Sequence, residues 1–344
     1  GSIMGRGDFG FINSNKIYFE SEKSWWVELI NTNCIWYDML INPPDGIDTN
    51  KIIKNYLGAV EAYLSEHCEK RFIYFLGARK KVRFSTEKKP TYSYFTKDLN
   101  LILLIGQECR KLKLKFSFFD VTPNGKRKIM PKIRVTDKYL YVEHDSKHVS
   151  VISIHDFLKD NYINLGISTE IHYVGYTRHP HKRPIDFIHR GLSRMLYNVS
   201  NEDNDFFVYF SIFNPVVISH NDDYNVSFGI ANSQIDEVEV DKEGRIIENC
   251  FIRYFDTELQ NDDKESKRPD LSKMFTELVN HKRIKTIAVD FRYENNNEYF
   301  SFYSNTVKPK NEHFFVIDFV DGKINIDRNK NIATHMEWVM GNNS

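Results

Sequence analysis

The sequence predicts an α+β fold, and three observations carry that reading. Aromatic residues are plentiful, 26 Phe, 19 Tyr and 4 Trp, alongside 16 Gly and 10 Pro. That composition leans toward β-rich or mixed structure. Several segments repeat apolar residues at helical spacing, and others are short strand-like runs, three of them in the last third of the chain.

Taken in order, Asp48 or Thr49 can cap a helix whose Ile52, Ile53, Tyr56, Leu57, Val60 and Leu64 are spaced for one buried face. Phe72 to Phe75 reads as a strand. Thr96, with Asp98 in the first turn, can open a helix through Leu99, Ile102, Leu103 and Cys109. Lys115 to Val121 and Lys138 to Glu143 are strand-like, and Pro123-Asn124-Gly125 marks a turn. Val149 to Ile152 reads as a strand, and Ser153 can cap a short helix holding Phe157 and Leu158. Glu170 to Thr177 is a strand. Pro184 suits a first helical turn, and Ile185, Ile188, Leu192, Met195, Leu196 and Val199 follow at helical spacing. Phe206 to Ile212 is a strand. Gly244 precedes a helix with Ile246, Ile247, Cys250, Phe251, Tyr254 and Phe255 on one side. Thr286–Tyr293, Glu298–Tyr303 and Phe314–Val320 are strand-like, and Asp321-Gly322 turns the last of them into Ile324 to Ile326.

Composition removes several function classes. Lys and Arg number 47, Asp and Glu 47, so the chain is not a wholly electrostatic nucleic-acid binder of the histone kind. The most apolar run, Leu101 to Ile105, is far short of the ~18–20 residues that span a bilayer, so no membrane partner is expected. No secretory h-region opens the sequence, and Gly1-Ser2 ahead of Met4 reads as a cloning remnant. Cys34, Cys68, Cys109 and Cys250 lie far apart, as free thiols of a reducing cytoplasm do. Phosphate-binding loops, dinucleotide fingerprints, nucleophile elbows and zincin motifs are missing. His172, His179, His181 and His189 fall close together, without a partner Cys or a zinc-site spacing.

Charge is uneven locally. Residues 107–138 hold ten Lys/Arg against Glu108, Asp120 and Asp137, whereas residues 202–243 hold ten Asp/Glu against Lys242. The first block, with residues 70–89, interleaves cations with aromatics such as Phe116, Phe118 and Phe119, a pattern that binds strands or simply fills a core. The acidic block is expected to mask a basic site until substrate arrives.

The most informative stretch is Tyr173-Val174-Gly175-Tyr176-Thr177, followed by Arg183 and His189, then Glu248 and, thirteen residues on, Asn261. This resembles the GIY-YIG nuclease family, whose second strand carries Tyr-Ile-Gly-x-Thr, whose next helix carries an Arg and a His, and whose later helix carries a metal-binding Glu followed by an Asn. The resemblance covers roughly residues 147–262 and implies a central mixed sheet flanked by helices. The family's first strand carries a Tyr of its own. Val149 to Ile152 carries none, and Tyr141 and His155 are both open as substitutes. His189 stands six residues after Arg183 rather than one turn.

The resemblance implies a role for each residue. Glu248 anchors Mg²⁺ (or Mn²⁺), a cation that takes few protein ligands and keeps most of its waters. Arg183 contacts the scissile phosphate with a planar, always-charged fork, Tyr173 orients or helps deprotonate the attacking water, His189 moves a proton or contacts phosphate, and Asn261 supports the site by hydrogen bonding. Gly175, Thr177, Arg178, Lys182 and Arg190 would line the substrate path, in a stretch whose five cations face one acid.

The implied organisation is an N-terminal α+β domain for recognition or assembly (1–135), a GIY-YIG-like nuclease domain (136–270) and a β-rich C-terminal segment (271–344). The implied function is a metal-dependent endonuclease on nucleic acid, DNA ahead of RNA, by analogy a bacterial restriction or phage-defence enzyme. The alternative is a catalytically inactive nucleic-acid-binding or interaction module on the same scaffold. A one-site enzyme needs two copies or two visits to cut a duplex, which makes a homodimer a natural expectation.

Overall fold

The computed structural model describes residues 5–67, 71–180, 190–266, 268–293 and 296–341. A short α1 (Lys16–Glu20) leads into β1 (Glu22–Trp36), followed by α2 (Asp38–Ile41), α3 (Thr49–His67) and β2 (Phe72–Lys80). An inserted module comes next: β3 (Val82–Phe84), β4 (Thr91–Tyr92), β5 (Leu99–Ile105), β6 (Arg110–Phe116), β7 (Phe118–Thr122), β8 (Gly125–Ile129), β9 (Lys132–Val135), β10 (Tyr139–Glu143), β11 (Val149–Ser153) and α4 (Ile154–Asp160). The chain then returns through β12 (Thr169–Thr177), α5 (Arg190–Asn198), β13 (Asn204–Asn221), β14 (Val226–Ala231), α6 (Asn232–Ile235) and α7 (Val240–Phe255). It ends with α8 (Asn261–Ser266), α9 (Arg268–Asn280), β15 (Ile284–Arg292), β16 (Phe302–Tyr303), β17 (Glu312–Val320), β18 (Lys323–Asp327) and α10 (Ile332–Val339).

Nine strands form one mixed sheet in the order β16-β12-β2-β13-β1-β15-β17-β18, with β14 on the far half of β13. β1 runs parallel to β15, and the long β13 runs antiparallel to both β1 and β2. Alternation along β13 builds two cores. Phe207 and Tyr209 face α7 and the inserted module, while Phe206, Val208 and Phe210 face the side covered by α2, α3 and α5. α10 closes a third cluster over Trp26. The three stretches 1–135, 136–270 and 271–344 all give strands to this sheet rather than each closing a sheet of its own.

The inserted module is tied down by a buried polar knot. His155 of α4 lies 2.6 Å from Asp205 of β13 through Nε2 and 2.7 Å from the Tyr299 hydroxyl through Nδ1. A neutral ring donating to Asp205 and accepting from Tyr299 satisfies every atom of that chain. Arg83 of β3 forks onto the same carboxylate at 2.7 and 2.9 Å. Burial raises the Asp205 carboxyl, but His155 and Arg83 outweigh it and hold the group well below the carboxylate range. Arg79 stacks on the Tyr299 ring, 3.7 Å from its centroid.

Most elements stand where the sequence puts them. Asp48 receives the Lys51 amide, and Ser153 receives that of Asp156. Asp321 and Gly322 both take positive φ, as a two-residue hairpin turn requires. Ile52 and Tyr56 of α3 are exposed, and among the described side chains of its apolar stripe Leu57 is the one fully buried. The expected helix from Thr96 is instead β5. Leu99, Leu101, Leu103 and Ile105 are buried at period two because β6, with its own Leu112, Leu114 and Phe116, lies antiparallel beside them. A run this dense in Leu and Ile satisfies either period, and its partner strand decided. Glu298–Phe300 is a helical turn, leaving β16 two residues long. Gly244 lies inside α7, not ahead of it. Pro184, Ile185 and Ile188 lie outside the described residues, and the remaining apolar positions of that stretch fall on or just after α5.

Several of the ten carboxylates in the acidic block pair with N-terminal cations: Glu237 on Lys23 at 3.0 Å, Asp236 on Arg6 at 2.8 Å, Asp241 on Arg71 at 2.8 Å and Asp205 on Arg83, while Glu202, Asp222, Asp223 and Glu239 are exposed. Removing residues 218–240 would delete β14 and part of β13 rather than uncover a surface.

Candidate active site

β12 carries the motif, and a bulge between Ile171 and Tyr173 sets which side chains face which side. Tyr173 turns toward α5, joins the cluster of Leu57, Leu192 and Met195, and stacks on Tyr74 of β2 with ring centroids 6.3 Å apart. A side chain on Gly175 would overlap the Tyr74 ring, and one on Gly191 would overlap Tyr173. Gly175 therefore makes room for an aromatic stack. Thr177 is buried, and its hydroxyl accepts the His179 amide at 3.0 Å. Arg178 is exposed at the strand end.

The antiparallel neighbour of β12 that brings a Tyr beside Tyr173 is β2. Tyr141 lies in the inserted module under Arg134, and His155 lies in the buried knot. The whole inserted module separates Tyr74 from Tyr173 in sequence.

On the opposite face, Val174 and Tyr176 meet α7. Gly244 lets that helix approach closely: a Cβ there would sit 3.1 Å from Arg71 and 3.3 Å from Tyr176. The next residue, Arg245, donates from Nε to the Tyr176 hydroxyl at 2.9 Å. Glu248, 3% exposed, follows at i+3 on the same side of the helix. Tyr176, Arg245, Glu248 and Asn249 line a groove of about 630 Å³ whose far wall is α9, with Asp270, Lys273 and Met274. The Tyr176 hydroxyl holds Arg245 above its ordinary range, and Asp241 and Glu248 add to this.

The sheet thus separates two residues that the resemblance groups together. Tyr173 is buried on the α5 face, while Glu248 lies on the α7 face. Asn261 is exposed at the start of α8, and its neighbour Gln260 does the inward work. The Gln260 amide is fully buried, accepting from the Val174 N–H and donating to the Val174 C=O, both at 2.8 Å. It thereby pairs with the free edge of β12 as a neighbouring strand would. Arg183, His189 and Lys182 lie outside the described residues, and Arg190 opens α5. Sequence reasoning passed over Tyr176, Arg245 and Gln260, although Tyr176 alternates with Val174 along the strand and Arg245 precedes Glu248 by one turn.

Glu248 gives the groove one buried carboxylate, and Mg²⁺ needs only one or two carboxylates because it keeps several waters; the Arg245 guanidinium donates hydrogen bonds and ligates no metal. Among the described residues no three His, Cys, Asp or Glu gather as a metal centre. Of the clustered histidines, His172 lies 3.8 Å from Glu170 and His179 bonds Glu61 at 2.6 Å. Cys34, Cys109 and Cys250 are free thiols. No described helix is long and apolar enough to cross a membrane. Compared with protein-family models, with curated proteins and with solved structures, the chain matches none.

Proposed function

We propose that the chain is a metal-dependent endonuclease that hydrolyses nucleic-acid phosphodiesters, DNA ahead of RNA, in the groove between β12, α7 and α9. The carrying observation is the buried Glu248 beside the Arg245–Tyr176 pair, at the end of the strand that leads into the cation-rich residues 178–190. The antiparallel set β12-β2-β13, with Tyr74 stacked on Tyr173 and followed by a Glu-bearing helix, adds support from the GIY-YIG resemblance. The restriction or phage-defence role rests on that resemblance alone.

Glu248 would hold Mg²⁺ or Mn²⁺, which supplies positive charge for the developing oxyanion and acidity for a bound water. Tyr176 accepts from Arg245, so its own O–H is left to donate into the groove, toward a water or a phosphate oxygen. Arg245 offers its remaining N–H donors to a non-bridging oxygen in a fixed fork. Tyr176, half-buried, meets solvent, whereas Tyr173 lies beneath α5; the water-orienting role read for Tyr173 passes to Tyr176. Arg183 and His189 keep the phosphate-contact and proton-transfer roles that the resemblance implies.

The test is cleavage of supercoiled plasmid, single-stranded DNA and structured RNA in Mg²⁺, Mn²⁺ or EDTA. Glu248→Gln and Tyr176→Phe should each lower the rate by about 10²–10³, Arg183→Ala likewise, and Tyr173→Phe should leave it nearly unchanged at equal folded fraction. Cutting that survives Glu248→Gln overturns the proposal. Binding without cutting in either metal would favour the inactive-scaffold reading, which the separation of Tyr173 from Glu248 across the sheet supports.

A further inference from the structure

The inserted module carries a surface that the groove does not use. Along β5 and β6 the pairs Leu99–Phe116, Leu101–Leu114 and Leu103–Leu112 face the core, so Lys111, Lys113 and Lys115 stand in a row on the outer face. Lys115 pairs with Asn100, whose side chain bonds Ser93 at 3.1 Å, and this brings the row to the loop that follows β4. That loop presents Tyr94 and Phe95, 88% and 91% exposed, with rings edge to face and centroids 5.1 Å apart. Lys97 is exposed two residues on.

The β7–β8 hairpin joins this surface. Lys128 bonds the Thr96 carbonyl and the Asp98 carboxylate, clasping the hairpin to the aromatic loop. Register places Phe119, Val121 and Lys126 on the same hairpin face as Lys128. Phe119 is 54% exposed and Val121 81%. Of the acids nearby, Glu87 is taken by Lys111, Asp98 is taken by Lys128 and Ser117, and Asp120 stands opposite Arg127 on the other hairpin face. Lys97, Lys113, Lys115 and Lys126 make no ion pair among the described residues.

Three exposed rings in a field of unpaired lysines have no place in a core and are costly to leave bare. Rings stack on base faces, and lysines follow a phosphate backbone. We infer that this face binds a single-stranded polynucleotide, with bases stacked on Tyr94, Phe95 and Phe119 and phosphates along Lys97, Lys113, Lys115 and Lys126. Readout through base faces and phosphates is indifferent to the sugar, so DNA and RNA strands bind alike. A duplex, whose base faces are already stacked, binds weakly. The inference does not depend on cutting in the Tyr176 groove.

The experiment is fluorescence anisotropy with the full chain in EDTA, using labelled dT15, rU15 and a 15-base-pair duplex. Tight binding of dT15 and rU15 within about threefold of each other, with the duplex at least tenfold weaker, is expected. The Tyr94→Ala/Phe95→Ala pair should weaken dT15 at least tenfold, since each stacked base is worth about fivefold or more. Changing Lys97, Lys113, Lys115 and Lys126 to Gln should flatten the salt dependence by about 0.7 in log–log slope per lost phosphate contact. All are surface positions, and unchanged thermal unfolding of the variants separates binding loss from misfolding. Three results would each overturn the inference: an unchanged dT15 affinity in the aromatic pair, equal affinity for the duplex, or binding to phosphatidylserine vesicles with none to dT15.

Discussion

Gln260 offers the sharpest test of how the candidate site is held. It is the only group bonded to both the N–H and the C=O of Val174 among the described residues, and all three partners are buried. Gln260→Leu fills similar volume and leaves two backbone groups dry and unpaired. At about 1–3 kcal/mol for each orphaned group, the cost is about 2–6 kcal/mol. Urea unfolding measures it, and hydrogen exchange at the Val174 amide should accelerate well before global unfolding. Gln260→Glu refines the test. A protonated carboxyl donates to the carbonyl and accepts from the amide as Gln does, whereas the anion cannot donate. Burial raises the folded pKa of such a Glu, so its stabilising contribution is present at low pH and drains away as pH rises through that value. Measured against the parent at each pH, Gln260→Glu should therefore lose stability from pH 5 to pH 8, by about 1–3 kcal/mol for the one donor lost. A Gln260→Leu cost under about 1 kcal/mol, with Val174 still protected, would show that β12 is not held from this edge.

Other perturbations follow from the same geometry. Asp205→Asn removes the charge that Arg83 and His155 share, and it should cost about 3–5 kcal/mol in urea unfolding; a loss under 1 kcal/mol would mean that the knot is not what fixes the inserted module. Gly175→Ala forces the buried Tyr74 ring aside and should destabilise by about 1–3 kcal/mol, with a shift in near-ultraviolet circular dichroism from the disturbed Tyr74–Tyr173 stack; an unchanged spectrum and midpoint would contradict the packing. Burial draws His335 from 6.5 to about 4, and His313 from 6.5 to about 3. The unfolded chain takes up those protons first, so their contribution is whole above pH 6.5 and is lost as pH falls toward 4. His335→Phe should flatten the fall of the urea midpoint across that window, and an unchanged slope would reject the assignment.

Much of the secondary structure was legible because local signals agreed with the fold: Ser153 capping α4, Asp321-Gly322 closing the last hairpin, and apolar spacing along α7. β5 was not legible, because Leu99–Ile105 satisfies both periods and its strand partner is known only from tertiary structure. The site was partly legible. The order of Tyr173, Gly175, Thr177 and Glu248 marked the strand and helix that meet at the groove. Which tyrosine shares the groove with Glu248 depends on a bulge at residue 172, and a shift of one residue exchanges the faces. Tyr74 was hidden by distance along the chain, and Gln260 by the more conspicuous Asn beside it.

The position of β1 has a consequence for how the protein is made. Trp25, Trp26 and Val27 are buried on both faces, between β13 on one side and β15 on the other. The ribosome makes this strand about 250 residues before its parallel neighbour, which begins at Ile284. At about 5–20 residues per second, the nascent chain carries a tryptophan-rich strand without that neighbour for roughly ten to fifty seconds. Stalled or truncated translation products that stop short of β15 should therefore be captured by chaperones or degraded, and the cell would receive the protein whole or not at all.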